Sequence, residues 1–385
     1  MPRVGRPIGT LRSQAGKQVV FVVRHTVAEL NLAELDRAQL EEALAARGHE
    51  RFHARQIFGW VYRHGVVDPD QMTNLSRDLR ATLTSEFSIA TPAIAERHRS
   101  TDGTEKFLLR LADGQQIESV FIPDTPAMTF CVSTQVGCAM ACAFCLTGKM
   151  GLVRNLTAGE IVGQVRVLAQ ALDLLDKPFN IVLMGMGEPL HNYDETMKAL
   201  KILADDHGLA LPPRRVTLST VGLLPALERL AREPLMPNLA VSLHAPTDAQ
   251  RGQLVPLNKK YGVAEIIEAC KRFPVRKRSR ITFEYVMLAA VNDSPEDARR
   301  LARLLSGVKS KVNLIPLNAA AGIPFERPSD AAINQFAKIL ADRGLIVSVR
   351  KSRGRDIRAA CGQLIVEGQH RSPAQTLANN LGQVG

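Results

Sequence analysis

Three cysteines on one short loop constrain this chain more than any other feature. They are Cys138, Cys142 and Cys145, in the run Gly137-Cys138-Ala139-Met140-Ala141-Cys142-Ala143-Phe144-Cys145, spaced C-x3-C-x2-C. A tetrahedral zinc site or an ordinary cubane cluster takes four protein ligands, and no fourth cysteine completes this set. Three thiolates would hold a [4Fe–4S] cluster with one iron left bare, and a bare iron is a place for a small molecule to chelate. The plain alternative is a buried trio of structural cysteines.

Composition agrees with an enzyme of moderate size. At 385 residues, 45% of them hydrophobic, the chain can fill a large α/β core and a small accessory domain. The net charge of +11 favours a polyanionic partner such as nucleic acid. The other three cysteines, Cys131, Cys270 and Cys361, do not make a secreted disulfide framework. Cys270, on a helical stretch, reads as a small core residue. No apolar stretch approaches the ~20 residues of a membrane span, and the run 18–23 is too short for a signal core. A cytoplasmic protein is expected.

The pattern along the chain predicts five parts. Residues 1–30 form a disordered tail, basic through Arg3, Arg6, Arg12, Lys17 and Arg24. Residues 31–100 form a helical accessory domain that binds RNA. Residues 101–123 form a β-hairpin, 105–111 and 116–122 around Asp113-Gly114, with Glu118 on the face of Val120 and Ile122. Residues 124–356 alternate strand and helix, with strands at 129–134, 180–185, 215–220, 239–243, 281–287, 312–317 and 345–350. Thr157 to Glu160 reads as a capping box opening a helix to Leu175. Right-handed βαβ units follow from that alternation, and six of them suit a partial (β/α) barrel. Residues 357–385 form a C-terminal segment carrying Cys361.

Polar motifs fall just past the strand ends, where α/β barrels place their sites. The cysteine loop follows the first strand and Gly185-Met186-Gly187-Glu188 the second. Ser219 ends the third, Ser242-Leu243-His244 ends the fourth, and Asn318 follows the sixth. Each alone is ordinary turn chemistry; together they outline a rim. Cys361 follows the basic run Arg350, Lys351, Arg353, Arg355 and Arg358, which would bring a thiol beside a phosphate backbone, and Cys131 lies in the first strand. Either is a plausible nucleophile or a buried structural thiol.

On Cys131-Val-Ser-Thr-Gln-Val-Gly-Cys138, the three-cysteine loop, Gly151-Leu-Val-Arg-Asn-Leu-Thr157, Met184-Gly-Met-Gly-Glu-Pro-Leu190, Ser242-Leu-His-Ala245 and Asp356-Ile-Arg-Ala-Ala-Cys-Gly-Gln-Leu364, the chain resembles the RlmN/Cfr family of radical S-adenosylmethionine (SAM) RNA adenine methyltransferases. The resemblance spans about residues 30 to 370. It implies a partial (β/α)6 TIM-like radical SAM barrel with an N-terminal helical domain and a hairpin extension. It implies one [4Fe–4S] cluster on Cys138, Cys142 and Cys145, and SAM contacts from Gly187, Glu188, Ser219, Ser242, Leu243, His244 and Asn318. Cys361 would be the S-methylcysteine intermediate, Cys131 its resolving partner through a transient disulfide, and Glu118 the proton acceptor.

The family consumes two SAM molecules per turnover. One methylates the cysteine matched by Cys361; the other yields the radical that activates that methyl group to add to C2 of adenine. Partners implied are 23S rRNA, tRNA beside the anticodon, and a reductant such as flavodoxin or ferredoxin, with the enzyme a monomer. C8 methylation of the same rRNA adenine is the nearest alternative. A glycyl-radical activase leaves Cys131 and Cys361 unexplained, and a non-catalytic metal-bound RNA-binding module would leave SAM intact. The RNA surface is expected on the helical module, the Lys271–Arg280 run and the Arg350–Arg358 loop.

Overall fold

The computed structural model describes residues 30–123 and 127–366. The basic tail expected over 1–30 lies almost wholly outside these residues, as does the chain beyond 366. The N-terminal module begins with β1 (Leu30–Asn31), which pairs in parallel with β2 (Phe87–Ser88) and so closes the module on itself. Between them lie α1 (Arg37–Ala45), α2 (His53–Phe58), which runs into a π-helical turn over Gly59–Arg63, and α3 (Arg77–Glu86). Asp36 and Gln39 form a capping box on α1, and Ser76 caps α3, so these two helices start where a side chain satisfies their first free N–H groups. Leu40, Leu44, Ile57, Phe58, Val61, Leu79 and Leu83 are buried between the helices.

The remaining strands form one ten-stranded sheet and a small pair. β3 (Ala93–Arg99), β4 (Glu105–Arg110) and β5 (Gln116–Ile122) run antiparallel and lead into β6 (Thr129–Cys131). β7 (Gln135–Gly137) and β8 (Leu152–Asn155) pair with each other and bracket the cysteine loop and the short α4 (Leu146–Met150). The parallel part continues through β9 (Asn180–Leu183), β10 (Val216–Thr220), β11 (Asn238–Ser242), β12 (Ile281–Met287), β13 (Ser310–Pro316) and β14 (Ile346–Val349). The sheet order is β14-β13-β12-β11-β10-β9-β6-β5-β4-β3. Helical crossovers are α5 (Ala158–Ala171), α6 (Tyr193–Ala204), α7 (Leu224–Leu230), α8 (Asp248–Leu254) with α9 (Val263–Arg272), α10 (Pro295–Leu304) and α11 (Asp330–Ala341). This is the partial α/β barrel expected, with a seventh parallel strand at its edge and an antiparallel extension at the other. Strands covered on both sides read as apolar runs: Phe130, Ile181, Leu218, Val241, Phe283 and Leu314 are fully buried.

Three features differ from expectation. Residues 93–99, expected within the helical domain, form β3. Its sequence, Ala-Ile-Ala-Glu-Arg-His-Arg, is exposed along nearly its whole length, so no apolar alternation marks it. Charged side chains on an unpartnered edge are how sheets avoid further pairing. The first parallel strand keeps its ladder only to Cys131, because the chain then turns into the bracket around the cysteine loop. The Lys271–Arg280 run precedes the first residue of β12 and therefore lies at the N-terminal end of the parallel strands. It sits roughly 20 Å from the rim at ~3.3 Å per strand residue, so it does not border the site.

The N-terminal module docks on the barrel through the start of α5. Glu34 accepts from Thr157 Oγ1 at 2.6 Å and from the Gly159 amide at 2.9 Å. A carboxylate is favourable at a helix N-terminus. Arg37 with Asp205 and Lys201 with Asp36, each at 2.8 Å, fix the orientation. Among the described residues no helix is long and apolar enough to cross a membrane.

Candidate active site

The C-terminal ends of the parallel strands surround a cavity. Cys138, Cys142 and Cys145 line it together with Gly187, Glu188, Ser219, Ser242, His244, Asn318 and Cys361. Gly137 makes the cysteine loop possible. Its φ is +76°, and a Cβ there would lie 1.9 Å from the Gly151 carbonyl that accepts from Cys138 N at 3.0 Å. The loop is then tied down by Ala143 N to Leu254 O at 2.9 Å and Leu146 N to Gly362 O at 2.8 Å.

The donor set suits an iron–sulfur cluster. Burial pushes all three thiols up, and the close approach of Cys138 and Cys145 to Cys142 adds to its shift. Backbone N–H groups of Met140 and Gly187 reach the Cys138 sulfur, and those of Gly148 and Thr147 the Cys145 sulfur. Such donors favour a sulfur that carries negative charge, as a metal-bound thiolate does. Among the described residues no three ligating side chains converge on a single metal ion. A cubane, whose thiolates each take a different iron, does not require that convergence.

Opposite the loop is a polar wall. Gly187, at φ +103°, lets its backbone lie against Gln135, whose Cβ a side chain would meet at 2.6 Å. Burial pushes the Glu188 carboxyl up to about 7, although Val221 N and Leu190 N donate to it at 2.9 and 3.0 Å. Ser219 and Ser242 share a hydrogen bond at 3.2 Å. His244, at φ +63°, is turned so that its Nδ1 accepts from Val286 N at 3.1 Å. Burial draws its ring down to about 3, with Arg251 adding to the effect, so a neutral imidazole faces the cavity, edge-on to Phe144 at 4.7 Å. Leu243 is placed differently from its neighbours: fully buried and outside the cavity lining. Its N–H donates to Glu284 O, and its carbonyl accepts from Ala245 N and Arg251 Nε.

Cys361 connects this cavity to a smaller adjoining one, which Cys131 lines with Val120, Ile122, Met184, Ser352 and Leu364. The two lone cysteines, 230 positions apart in the sequence, thus face one space. Both are free thiols here. Burial drives the Cys131 thiol up to about 12; Cys361 raises it further and Arg350 opposes the shift. Arg350 lines both cavities and therefore points inward, away from the phosphate-binding role that the basic run suggested.

Glu118 lines neither cavity. Its buried carboxylate pairs with Lys106 at 2.8 Å and accepts from Ile365 N at 2.8 Å, so it clasps the segment that carries Cys361. Burial raises its pKa, against the pull of Lys106. Glu284, a carboxylate inside the apolar strand Ile281–Met287, also lines the larger cavity and was not anticipated. Its signal was present: one charge among residues otherwise suited to a doubly covered strand. The apolar lining from Met140, Phe144, Val286 and Ile315 had no such signal. Cys270 is buried in α9 as a core residue.

An incomplete α/β barrel with three cysteines on its first rim loop, facing a glycine-rich wall, defines a radical SAM enzyme. Residues 132–302 match the model of the radical SAM superfamily, and residues 30–89 that of the ribosomal RNA large subunit methyltransferase N-terminal domain. The dual-specificity RNA methyltransferase RlmN of Pelobacter propionicus is 49% identical over 334 residues, covering 87% of this chain and 95% of that protein. Its counterpart in Dinoroseobacter shibae is 47% identical over 366 residues, 90% and 93% of the two chains. A crystal structure of a radical SAM methyltransferase from Sphaerobacter thermophilus matches with a TM-score of 0.83 at 50% identity, covering 87% of this chain and 99% of that one. The chain belongs to the RlmN family of dual-specificity RNA methyltransferases.

Proposed function

We propose that this enzyme methylates C2 of adenine in 23S rRNA and in tRNA beside the anticodon, using Cys361 as methyl carrier and Cys131 to release the product. The observation that carries the reading is the position of Cys361 at the junction of two cavities. One holds the three cluster cysteines and the polar wall; the other holds Cys131. When bound, the cluster and SAM supply an electron and a hydrogen-abstracting radical. Cys138, Cys142 and Cys145 hold the cluster, while Glu188, Ser219, Ser242, His244 and Asn318 orient SAM around it. Leu243 contributes by shaping the backbone between Ser242 and His244.

C2 of adenine is electron-poor, so it does not displace a methyl group from SAM as a nucleophile would. A thiolate does. Cys361 takes the methyl group from one SAM, and a second SAM is spent in activating it, which makes two per turnover. After the carbon joins C2, the adduct must give up one electron, for which the cluster would be the acceptor, and Glu118 accepts the C2 proton; this requires the clasp on Ile365 to open toward the smaller cavity. The Cys131 sulfur then attacks the Cys361 sulfur, the S–C bond to the product breaks with its electron pair passing to the product carbon, which is protonated, and a disulfide remains. An external thiol reductant restores both thiols, and a low-potential donor of the flavodoxin or ferredoxin class serves the cluster.

The helical module and the exposed Lys351, Arg355 and Arg358 supply the RNA surface. Binding there weakens as salt rises, because each neutralised phosphate releases counterions. Mass spectrometry of RNA from cells with and without the gene tests the reading: loss of 2-methyladenosine supports it, and loss of 8-methyladenosine alone overturns it.

A further inference from the structure

Arg251, in α8, has no solvent exposure and is among the largest side chains so buried. Its Nε donates to Leu243 O at 3.0 Å, Nη2 to Val221 O at 2.5 Å and to Ser242 O at 3.2 Å, and Nη1 to Asn258 Oδ1 at 3.1 Å. All four acceptors are neutral, and among the described residues no carboxylate stands at ion-pair distance from it. A buried guanidinium without a counter-charge is costly. Burial accordingly draws Arg251 down to about 10, and the groups that oppose the shift are Cys142 first and Asp248 second. The side chain also lies outside the cavity lining, so it is not a ligand contact.

Its surroundings link two parts of the site. The carbonyls it gathers follow β10 and end β11, the strand ends that present Ser219, Ser242 and His244. One turn further along α8, Leu254 O accepts from Ala143 N, inside the cysteine loop. This buried cation behind the rim is thus joined to the SAM wall by hydrogen bonds and to the cysteine loop through its helix.

We propose that Arg251 is the built-in counter-charge of the cluster loop, a positioning residue that offsets the negative charge of the cluster-bearing thiolates and eases reduction of the cluster. The inference rests on the reading that Cys138, Cys142 and Cys145 hold a [4Fe–4S] cluster. Three thiolates leave such a cluster with net negative charge, and reduction by the external donor adds one more. A fixed positive charge in low dielectric stabilises the reduced form over the oxidised one. The hydrogen-bonding role and the charge role are separable. Arg251→Lys keeps the charge with fewer donors, while Arg251→Gln keeps an amide donor without the charge.

The test uses the full-length enzyme reconstituted anaerobically with iron and sulfide, without SAM. Iron content and the cluster midpoint potential are measured by redox titration followed by electron paramagnetic resonance. Arg251→Lys is expected to load iron like wild type, at a nearby potential. Arg251→Gln is expected to shift the potential negative, or to lose iron that Arg251→Lys retains. If the two variants match each other in iron content and potential, Arg251 acts by packing and the proposal falls. A wild-type enzyme that takes up no iron overturns the cluster reading itself, and this inference with it.

Discussion

The two halves of the site are built in different ways. The cluster and SAM half is made of strand ends. Its residues come from six parallel strands whose ladders fix the rim before any ligand arrives. The half that carries the proposed methyl carrier is a strap, residues 350–366, with neither helix nor strand after β14. It crosses from the open edge of the barrel to the antiparallel extension and is held by discrete hydrogen bonds. Asp356 accepts from Ser100 Oγ at 2.5 Å and Thr101 N at 3.2 Å, and Gly354 N donates to Asp102 at 3.0 Å. Thr147 Oγ1 donates to Leu364 O at 2.6 Å and Gln363 Nε2 to Ala319 O at 3.0 Å. A rim that binds cofactors benefits from rigidity. A carrier that meets SAM, RNA and a second thiol in turn needs contacts that break one at a time.

The largest effects should separate the halves. Alanine at Cys138, Cys142 or Cys145 should abolish cluster assembly and SAM cleavage together. Cys361→Ala should leave the cluster and reductive SAM cleavage intact while product methylation disappears. Iron analysis, deoxyadenosine release and RNA mass spectrometry on one set of variants give the comparison. If Cys361→Ala still yields 2-methyladenosine, the strap is not the methyl carrier. Cys131→Ala should stop one step later, with RNA joined to Cys361 and visible as a protein–RNA adduct on denaturing gels. Normal turnover in that variant would remove Cys131 from the mechanism.

The same division decides what could be read from the sequence. Glycines and polar residues just past apolar runs marked Glu188, Ser219, Ser242, His244 and Asn318, because the period of a buried strand ends abruptly where the rim begins. All five reach one cavity. Leu243 shows the limit of that reasoning, since neighbours on a turn point in opposite directions. The strap has no period to read. Its clasp by Glu118 depends on a register that sets Cys131 beside Val120, two residues from Glu118 on β5. The inward turn of Arg350 depends on where β14 leaves the sheet. Both are products of long-range packing, and a local basic run says nothing about which of its members face in.

The thiol of Cys131 provides a sharper comparison. In the proposed mechanism Cys361 must be ionised to take a methyl group, and Cys131 must be ionised to release the product. Burial pushes the Cys131 thiol up to about 12. Below that value the thiolate fraction rises tenfold per pH unit. Release from a preformed adduct should therefore accelerate by up to tenfold per unit from pH 7 to 9, with little change in reductive SAM cleavage. Rapid-quench measurement of adduct decay against pH tests this. A flat profile would mean that Cys131 is already ionised in the adduct, or that another step limits release.

The smallest effect expected is on the clasp between the strap and the β3–β4 turn. Asp102 receives bonds from Thr104 and Gly354, which outweigh the opposing effect of burial and hold its carboxyl at about 2. The clasp therefore stays ionised across the working range of the enzyme and is lost only as pH falls through that value. A single bond of this kind contributes about 0.5–1.5 kcal/mol net, with those to charged groups at or above the upper end. Asp102→Asn should thus lower methylation by roughly threefold to tenfold, with iron content and SAM cleavage unchanged. Amide exchange at Gly354 and Thr101 should accelerate in parallel. If methylation falls together with SAM cleavage, the clasp supports the rim as well, and the two halves are less independent than their construction implies. If neither changes while amide exchange does, docking of the strap depends on the contacts at Leu146, Thr147 and Glu118, closer to the cysteine it carries.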